Sequence, residues 1–414
     1  MLIIFMVFGL LSLAVWYGLK KSLRTTRPWM KKVVWIFYWY SVANEVVFFI
    51  WGLAIANQGP PEATWFSALV MGGLFTLFVP KLLYGVFILI EFLVWVTQRS
   101  FRNKSQPIST DPSRRRFIGQ AGLILASVPF VSFLYGVTLG KWNYKVRKQV
   151  LHFPNLPDAF DGFTITHLSD IHSGSFTNNH REMLECGIGL INEQDSDLLL
   201  FTGDLVNDLA TEIEQWKDLF GRLDAPFGKY SVLGNHDYGE YADWGEGELG
   251  VKAKAKNLED LKAHHADMGY KLMNNDSIQL EKDGQTIRLA GVENWSKSEH
   301  FPSLGDLDKA FGSTINDREF TVLMSHDPSH WDAQVLGHKK HVDLTLSGHT
   351  HGMQFGVEIP GFKWSPVKYI YPRWAGLYEE GEKRLYVNRG FGFLGFPGRV
   401  GIMPEITVIE LRKA

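Results

Sequence analysis

Gly348-His349-Thr350-His351-Gly352 sets two imidazoles one residue apart at the end of the run Val342-Asp343-Leu344-Thr345-Leu346-Ser347. The run alternates apolar and polar side chains, which predicts a short half-buried strand with both histidines at its carboxyl end. Open α/β sheets bind their ligands at that end of the strands. Four other stretches share the design. Phe163 to Leu168 runs into Asp170-Ile171-His172, and Leu198 to Phe201 into Gly203-Asp204. Tyr230 to Leu233 leads to Gly234-Asn235-His236-Asp237, and Phe320 to Met324 leads to Ser325-His326. Five apolar runs therefore stop at small residues and deliver oxygen or imidazole donors toward one place.

Polar helical stretches separate these runs, at Asn179 to Gln194, Glu212 to Leu223 and Lys254 to Met268. Such alternation implies an α/β layer fold. Tyr241 to Gly250, rich in glycine and acidic residues, reads as a surface loop. Ile287 to Val292 is a further strand, and Leu385 to Asn388 and Ile406 to Ile409 close the sheet late in the chain. There is no internal repeat and no low-complexity tract.

The chain has 414 residues, room for more than one domain, and a formal net charge of −2, which gives no sign of nucleic acid as a partner. Its single cysteine, Cys186, excludes an intramolecular disulfide. Composition divides the chain. Residues 1–140 are rich in Phe, Trp, Leu, Ile and Val, whereas 141–414 have the mixed polarity of a soluble enzyme.

The first part reads as a transmembrane module of about four helices. Leu2 to Leu19 is an uninterrupted apolar run, long enough at 1.5 Å per residue to cross most of a bilayer core of roughly 30 Å. No basic stretch precedes it and no small-residue cleavage site follows, which argues against a cleaved signal peptide. Further runs cover Val33 to Ala56, Trp65 to Val96 and Phe117 to Leu139; the Trp65 run contains Pro80-Lys81, so it is either one kinked helix or a span with an amphipathic extension, and a fifth span arises if it divides. Glu45, in the second run, is costly at that depth unless paired, and is either a proton or ligand contact or a polar contact between helices together with Asn44.

Lysines and arginines crowd the first loop (Lys20, Lys21, Arg24, Arg27, Lys31, Lys32) and the third (Arg99, Arg102, Lys104, Arg114, Arg115, Arg116), whereas Asn57 to Thr64 has only Glu62. The positive-inside rule then puts residues after Leu139 outside the cytoplasm, although Lys141, Lys145, Arg147 and Lys148 argue the other way. Ser113-Arg114-Arg115-Arg116-Phe117-Ile118 before an apolar run is like a twin-arginine export signal, and predicts the same topology. The expectation is an integral protein of a bacterial inner membrane, its catalytic part extracytoplasmic.

Singly, each donor motif is weak. Jointly, Asp170, His172, Asp204, Asn235, His326, His349 and His351 at separate strand ends point to one metal site. Mixed oxygen and imidazole donors suit Mn, Fe or Zn rather than Ca or Mg, and the lack of thiolate argues against a closed structural zinc site.

The order of these motifs resembles the signature of the calcineurin-like metallophosphoesterase superfamily: Asp-x-His, Gly-Asp, Gly-Asn-His-Asp, an isolated His, and Gly-His-x-His. The resemblance implies a β-sandwich flanked by helices, here preceded by the all-α transmembrane module. It implies one divalent ion on Asp170, His172, Asp204 and His351, and a second on Asp204, Asn235, His326 and His349, with Asp204 bridging. It implies hydrolysis of a phosphate ester or phosphoanhydride by a metal-bridging hydroxide, with Asn235 and His236 facing substrate, His236 as proton donor and Asp237 placed to orient its ring. Gly376-Leu377-Tyr378, Leu385 to Gly392 and Pro404-Glu405-Ile406-Thr407 are similar to the YkuE/YaeI-like membrane-associated subgroup. Members usually carry Gly-Gly-Gln after the last histidine where this chain has Gly352-Met353-Gln354, so Met353 is expected to narrow or line the pocket.

Arg389 contacts a second phosphate or sits in a structural ion pair. The aromatic stretch Phe362 to Trp374 either meets lipid headgroups or packs in the core. Membrane attachment favours a phosphorylated amphiphilic or lipid-linked substrate over a free small molecule. Some relatives in the subgroup cleave UDP-2,3-diacylglucosamine in lipid A biosynthesis, an alternative that needs a cytoplasmic site. A second alternative is a non-catalytic metal-containing receptor or transport module, which is expected to have lost His236 or a ligand.

Overall fold

The computed structural model describes residues 2–24, 26–55, 65–100, 112–312 and 319–414, in two compact units, 1–138 and 139–414. The first holds helices α1 (Leu2–Ser22), α2 (Pro28–Ile55), α3 (Trp65–Ser100) and α4 (Pro112–Thr138). Among the described residues three stretches, Pro28–Ala54, Phe66–Thr97 and Phe117–Thr138, are long and apolar enough to cross a membrane. The first of the four expected spans, Leu2 to Leu19, lies within α1, whose last turn carries Lys20 and Lys21. The Trp65 span is one helix that continues through Pro80. Ile36, Trp39, Leu53, Leu89, Phe92, Val128 and Val131 all face outward, an apolar exterior that suits lipid and not water.

Glu45 lies inside this unit. Its carboxylate accepts from Lys81 Nζ at 2.8 Å and from Ser12 Oγ at 3.1 Å, so the ionisable group has the partner its depth demands. The Asn57 to Thr64 loop, Arg102 and Lys104 lie outside the described residues. The backbone of Arg114 to Arg116 belongs to the start of α4.

The second unit contains, among the described residues, fourteen strands. In chain order they are β1 (Lys145–Phe153), β2 (Thr164–Leu168), β3 (Leu198–Phe201), β4 (Lys229–Ser231), β5 (Tyr270–Leu272), β6 (Asp276–Lys282) and β7 (Gln285–Gly291). Then follow β8 (Thr321–Met324), β9 (Leu344–Ser347), β10 (Val357–Ile359), β11 (Phe362–Trp364), β12 (Gly376–Glu380), β13 (Lys383–Val387) and β14 (Glu405–Lys413). Helices α5 (Arg181–Asn192), α6 (Lys217–Gly221), α7 (Gly247–Asp267) and α8 (Leu307–Phe311) lie between them.

Two six-stranded sheets form, ordered β1-β14-β2-β3-β4-β5 and β12-β13-β9-β8-β7-β6, with β10 and β11 apart as a hairpin. The site-bearing strands β2, β3 and β4 are mutually parallel in one sheet, and β8 and β9 are parallel in the other. Strand β3 shows why the sheets stack. Successive side chains point to opposite faces, so Leu198 and Leu200 join Val322, Met324, Leu344 and Leu346 between the sheets. Leu199 and Phe201 face the other way, under Leu184 and Ile188 of α5 and Phe220 of α6. On the far side of the second sheet Leu323 and Val387 pack against Phe311 of α8 and Trp331. Each such leucine taken wholly out of water contributes about 1.5–3 kcal/mol.

This helix-sheet-sheet-helix order is the sandwich expected, with four corrections. Strand β9 is buried on both faces, Thr345 and Ser347 included, and not half-buried. Leu385 and Ile406 close different sheets. Helix α7 starts at Gly247 and so takes over the end of the expected 241–250 loop, while the Glu212 stretch is a 3-10 helix, Ala210–Trp216, running into the short α6.

Candidate metal centre

Each strand end delivers its donor through a distorted backbone. Asp170, His172, Asp204, His349 and His351 all have φ between 49° and 70°, a left-handed conformation that costs a non-glycine residue energy and persists only where packing over-determines it. Glycines make room beside them. A Cβ on Gly203 would lie 2.4 Å from Gly234 N, and one on Gly234 would lie 2.2 Å from Asp204 Oδ1. The ends of β3 and β4 therefore approach each other only because both positions lack a side chain.

Asp170, His172, Asp204 and His351 form one buried group whose candidate ligand atoms all lie within 4.8 Å of one another; Asp204, His326 and His349 form a second. The Asp204 carboxylate belongs to both. Its Oδ2 is 3.4 Å from His172 Nε2 and 3.2 Å from His326 Nε2, and its Oδ1 accepts the backbone N–H of His236 at 3.0 Å. His172 Nε2 and His351 Nε2 are 2.9 Å apart, and His351 Nε2 is 3.3 Å from Asp170 Oδ1. Asn235 enters through Oδ1, 2.7 Å from His349 Nδ1, because its amide nitrogen donates to the Tyr241 hydroxyl at 2.9 Å.

The donor set fits divalent metal. His326 Nδ1 donates to the Thr202 carbonyl at 2.7 Å, which leaves Nε2 bare and aimed at the Asp204 carboxylate and at His349 Nδ1, 3.3 Å away. Lone pairs facing one another at such distances need a cation or a proton between them. Without metal the protons redistribute accordingly. Burial opposes charge on His326, yet Asp204 and Asp170 push it up to about 10. Burial also opposes charge on Asp204, yet His326, His236 and His172 take it well below the usual carboxylate range. Asp170 is pushed up to about 6 by burial.

His236 stands beside the cluster, half-buried, its ring 4.9 Å from that of His172 and 4.6 Å from that of Tyr241. Asp237 does not hold it. The Asp237 carboxylate accepts backbone N–H groups of Asp204 (2.9 Å), Gly234 (2.8 Å), Leu205 (2.8 Å) and Val206 (3.3 Å), so it ties the β3 and β4 loops together. His236 Nδ1 instead meets the Asn207 carbonyl at 2.7 Å. The expected orienting role of Asp237 is thereby corrected: the two residues sit on one 3-10 turn, His236–Tyr238, where neighbours in sequence point apart.

Arg389 is likewise not free for phosphate. Its buried guanidinium is paired with Glu405, and with Glu358 at 2.7 Å, which realises the ion-pair alternative. Met353 takes φ 56°, a conformation glycine adopts without cost, and its side chain is exposed. Residues the sequence reading missed complete the site. Tyr371 Oη lies 2.8 Å from His349 Nε2, Asp327 Oδ2 is 3.6 Å from the same nitrogen, and Arg399 Nη2 is 3.3 Å from His351 Nδ1. Asp327 had a signal, its position next to His326; Asn207 and Tyr241 had none.

A model described as "Calcineurin-like phosphoesterase" matches residues 163–353, and one described as "Probable Calcineurin-like phosphoesterase, transmembrane domain" matches residues 1–141. The chain is 32% identical to the uncharacterized metallophosphoesterase YkuE of Bacillus subtilis over 73% of its own length and 98% of that protein's. It is 27% identical to the uncharacterized metallophosphoesterase Cj0846 of Campylobacter jejuni over 99% of its length and 97% of that protein's. It is 25% identical to the phosphodiesterase YaeI of Escherichia coli over 72% of its length and 99% of that protein's. With a buried Asp/His cluster and helices apolar enough to enter a membrane, the chain belongs to the calcineurin-like metallophosphoesterases and is a membrane protein and a phosphoric ester hydrolase.

Proposed function

We propose that this protein is a dinuclear-metal phosphoesterase of a bacterial inner membrane that hydrolyses a phosphate ester or phosphoanhydride in an amphiphilic or lipid-linked substrate, on the extracytoplasmic side. The observation that carries the reading is the gathering of His172, His326 and the His236 backbone about one carboxylate, Asp204. Asp170, His172, Asp204 and His351 would hold one ion, and Asp204, Asn235, His326 and His349 the other; Mn, Fe or Zn suits such donors. Divalent ions there supply Lewis acidity toward phosphoryl oxygens and make water near them more acidic. His236 Nδ1 is committed to the Asn207 carbonyl, so Nε2 is the atom that hands a proton to the departing oxygen. The membrane helices favour an amphiphile, since they hold the hydrolase at a lipid surface. The likeness to YaeI, a phosphodiesterase, supports a diester.

The test uses the full-length protein in detergent with p-nitrophenyl phosphate and its bis ester. Two bound divalent ions per chain are expected, with hydrolysis lost on chelation and restored by metal. Protein that binds two ions and cleaves neither ester sinks the reading in favour of a binding module. Cys186, exposed on α5, tests the side of the membrane. A membrane-impermeant maleimide should label it in intact spheroplasts. Labelling only after permeabilisation would move the hydrolase to the cytoplasm, where the UDP-2,3-diacylglucosamine alternative has its substrate.

A further inference from the structure

The hairpin β10–β11 has its polarity inverted at its tip, where Glu358 is more buried than Val357, Ile359 and Phe362. Ile359 lies opposite Phe362, Glu358 opposite Lys363 and Val357 opposite Trp364. Directly opposed residues share a face and faces alternate along a strand, so Val357, Ile359, Phe362 and Trp364 make one face and Glu358 and Lys363 the other. A hairpin on a water-soluble domain turns its apolar face to the core. Here Glu358 of the charged face is half-buried, while Lys363 is exposed along its length and tied down at its tip. The Glu358 carboxylate accepts from Arg147 and Arg389, each at 2.7 Å, and Lys363 Nζ donates to the Ala375 carbonyl. On the apolar face Trp364 is half-buried, but Val357, Ile359 and Phe362 are left outside, Ile359 58% and Phe362 54% exposed.

The exposure continues along the chain. The 3-10 turn Pro366–Tyr369 ends in Tyr369 and Ile370, 75% and 72% exposed, and Lys368 Nζ lies 5.4 Å from the Tyr369 ring centre. Of the twelve large apolar side chains exposed among the described residues of 139–414, six lie between Met353 and Ile370. They are not scattered singly, and a concentrated patch of this kind marks a contact surface. The patch also abuts the metal centre in the chain. Ser365 Oγ donates to the Gly352 carbonyl at 2.8 Å, and Tyr371, next to Ile370, bonds His349.

We propose that this face, Val357, Ile359, Phe362, Tyr369 and Ile370 with Lys368, is a lipid-contacting surface that seats at the headgroup and acyl boundary of the membrane the chain enters. Aliphatic and aromatic side chains beside a lysine are the composition that partitions into that boundary. The occupant is argued from the chain itself. Arg147, which grips Glu358 of the hairpin, lies nine residues past Thr138, the end of α4, so the strand that braces the hairpin is the one through which the chain arrives from its apolar helices. The proposal deepens the amphiphile reading and rests on its membrane attachment, but its test needs no turnover.

In full-length protein carrying Cys186→Ser, single cysteines at Ile359→Cys, Phe362→Cys and Ile370→Cys are labelled with an environment-sensitive dye. The protein is reconstituted in vesicles of phosphatidylcholine and phosphatidylglycerol, with and without brominated acyl chains. Leu249→Cys on α7, an exposed apolar position outside the patch, is the control. Emission at the three patch positions should fall in brominated lipid while the control stays unchanged, and Lys368→Glu should weaken the loss. All substitutions are at exposed positions, and matching thermal unfolding curves show that each variant is folded. Patch labels as insensitive to bromine as the control overturn the proposal. If those labels are also shielded from aqueous iodide, a protein, such as a second copy, covers the face instead. Vesicle quenching with no ester hydrolysis would leave this surface standing while the proposed catalytic reading fails.

Discussion

The Nδ1 atom of His236 lies 2.7 Å from the main-chain carbonyl oxygen of Asn207. A carbonyl only accepts, so that nitrogen keeps its proton and the exchangeable one sits on Nε2. The ring belongs to neither donor group, which separates proton transfer from metal retention. His236→Ala should therefore lower kcat by about 10²–10⁴-fold, the usual worth of a positioned general acid, with metal content per chain unchanged. Metal analysis beside steady-state kinetics checks this. A variant that loses ions in proportion to activity would make His236 a ligand.

Asp237 gives the opposite expectation. Its carboxylate serves four backbone N–H groups at the ends of β3 and β4. Removing the acceptor leaves buried donors unpaired, at about 1–3 kcal/mol for each that water cannot reach. Asp237→Ala should lower the thermal midpoint and loosen metal binding, because Asp204 and Asn235 stand on those loops. An activity loss with the midpoint unchanged would return Asp237 to an orienting role toward His236.

The legible part of this chain is the part written locally. Parallel strands buried on both faces read as short apolar runs, so Leu198 to Phe201 and Phe320 to Met324 stood out, and the residues after them are the ones that converge on Asp204. The division into two sheets was not legible, since the partners of Leu385 and Ile406, Thr345 and Val146, are set by contacts far off in sequence. Nor was the reversal at β10–β11. Glu358 reads as a surface residue until Arg147 and Arg389, distant in sequence, are seen to claim it. Asp237 misled because adjacency in sequence is not adjacency on a helical turn.

Arg389 is predicted to matter for stability and not for substrate. It is buried between Glu405 and Glu358, and Glu405 also accepts from the Tyr386 hydroxyl at 2.6 Å and from Thr407 Oγ1 at 2.7 Å. Arg389→Met strands a buried carboxylate, a loss on the order of 3–5 kcal/mol. Adding Glu405→Gln should restore part of it. Denaturant midpoints measure both variants. A raised KM for phosphate esters at an unchanged midpoint would instead place Arg389 at the substrate.

Glu212 links the His236 anchor to pH. Its carboxylate accepts the backbone N–H groups of Asn207 at 2.6 Å, Asp208 at 3.3 Å and Leu209 at 3.1 Å, and so fixes the loop whose carbonyl holds the imidazole. Burial pushes its pKa up to about 7, against the pull of those N–H groups. The folded state thus keeps a proton that the unfolded chain gives up near its ordinary value of 4.5. By linkage, the stabilisation from this group is fully present below that value and is lost as pH rises through about 7. Glu212→Gln cannot ionise, so the unfolding free energy of the wild type relative to this variant should fall between pH 5 and pH 8 by something on the order of 1–3 kcal/mol. Urea unfolding of both proteins, metal-free and at matched ionic strength, reads the difference directly, because every other titrating group is common to the pair. A difference that stays flat across that range would mean that the Glu212 carboxyl is ionised throughout, and that its loop is held the same way on both sides of neutrality.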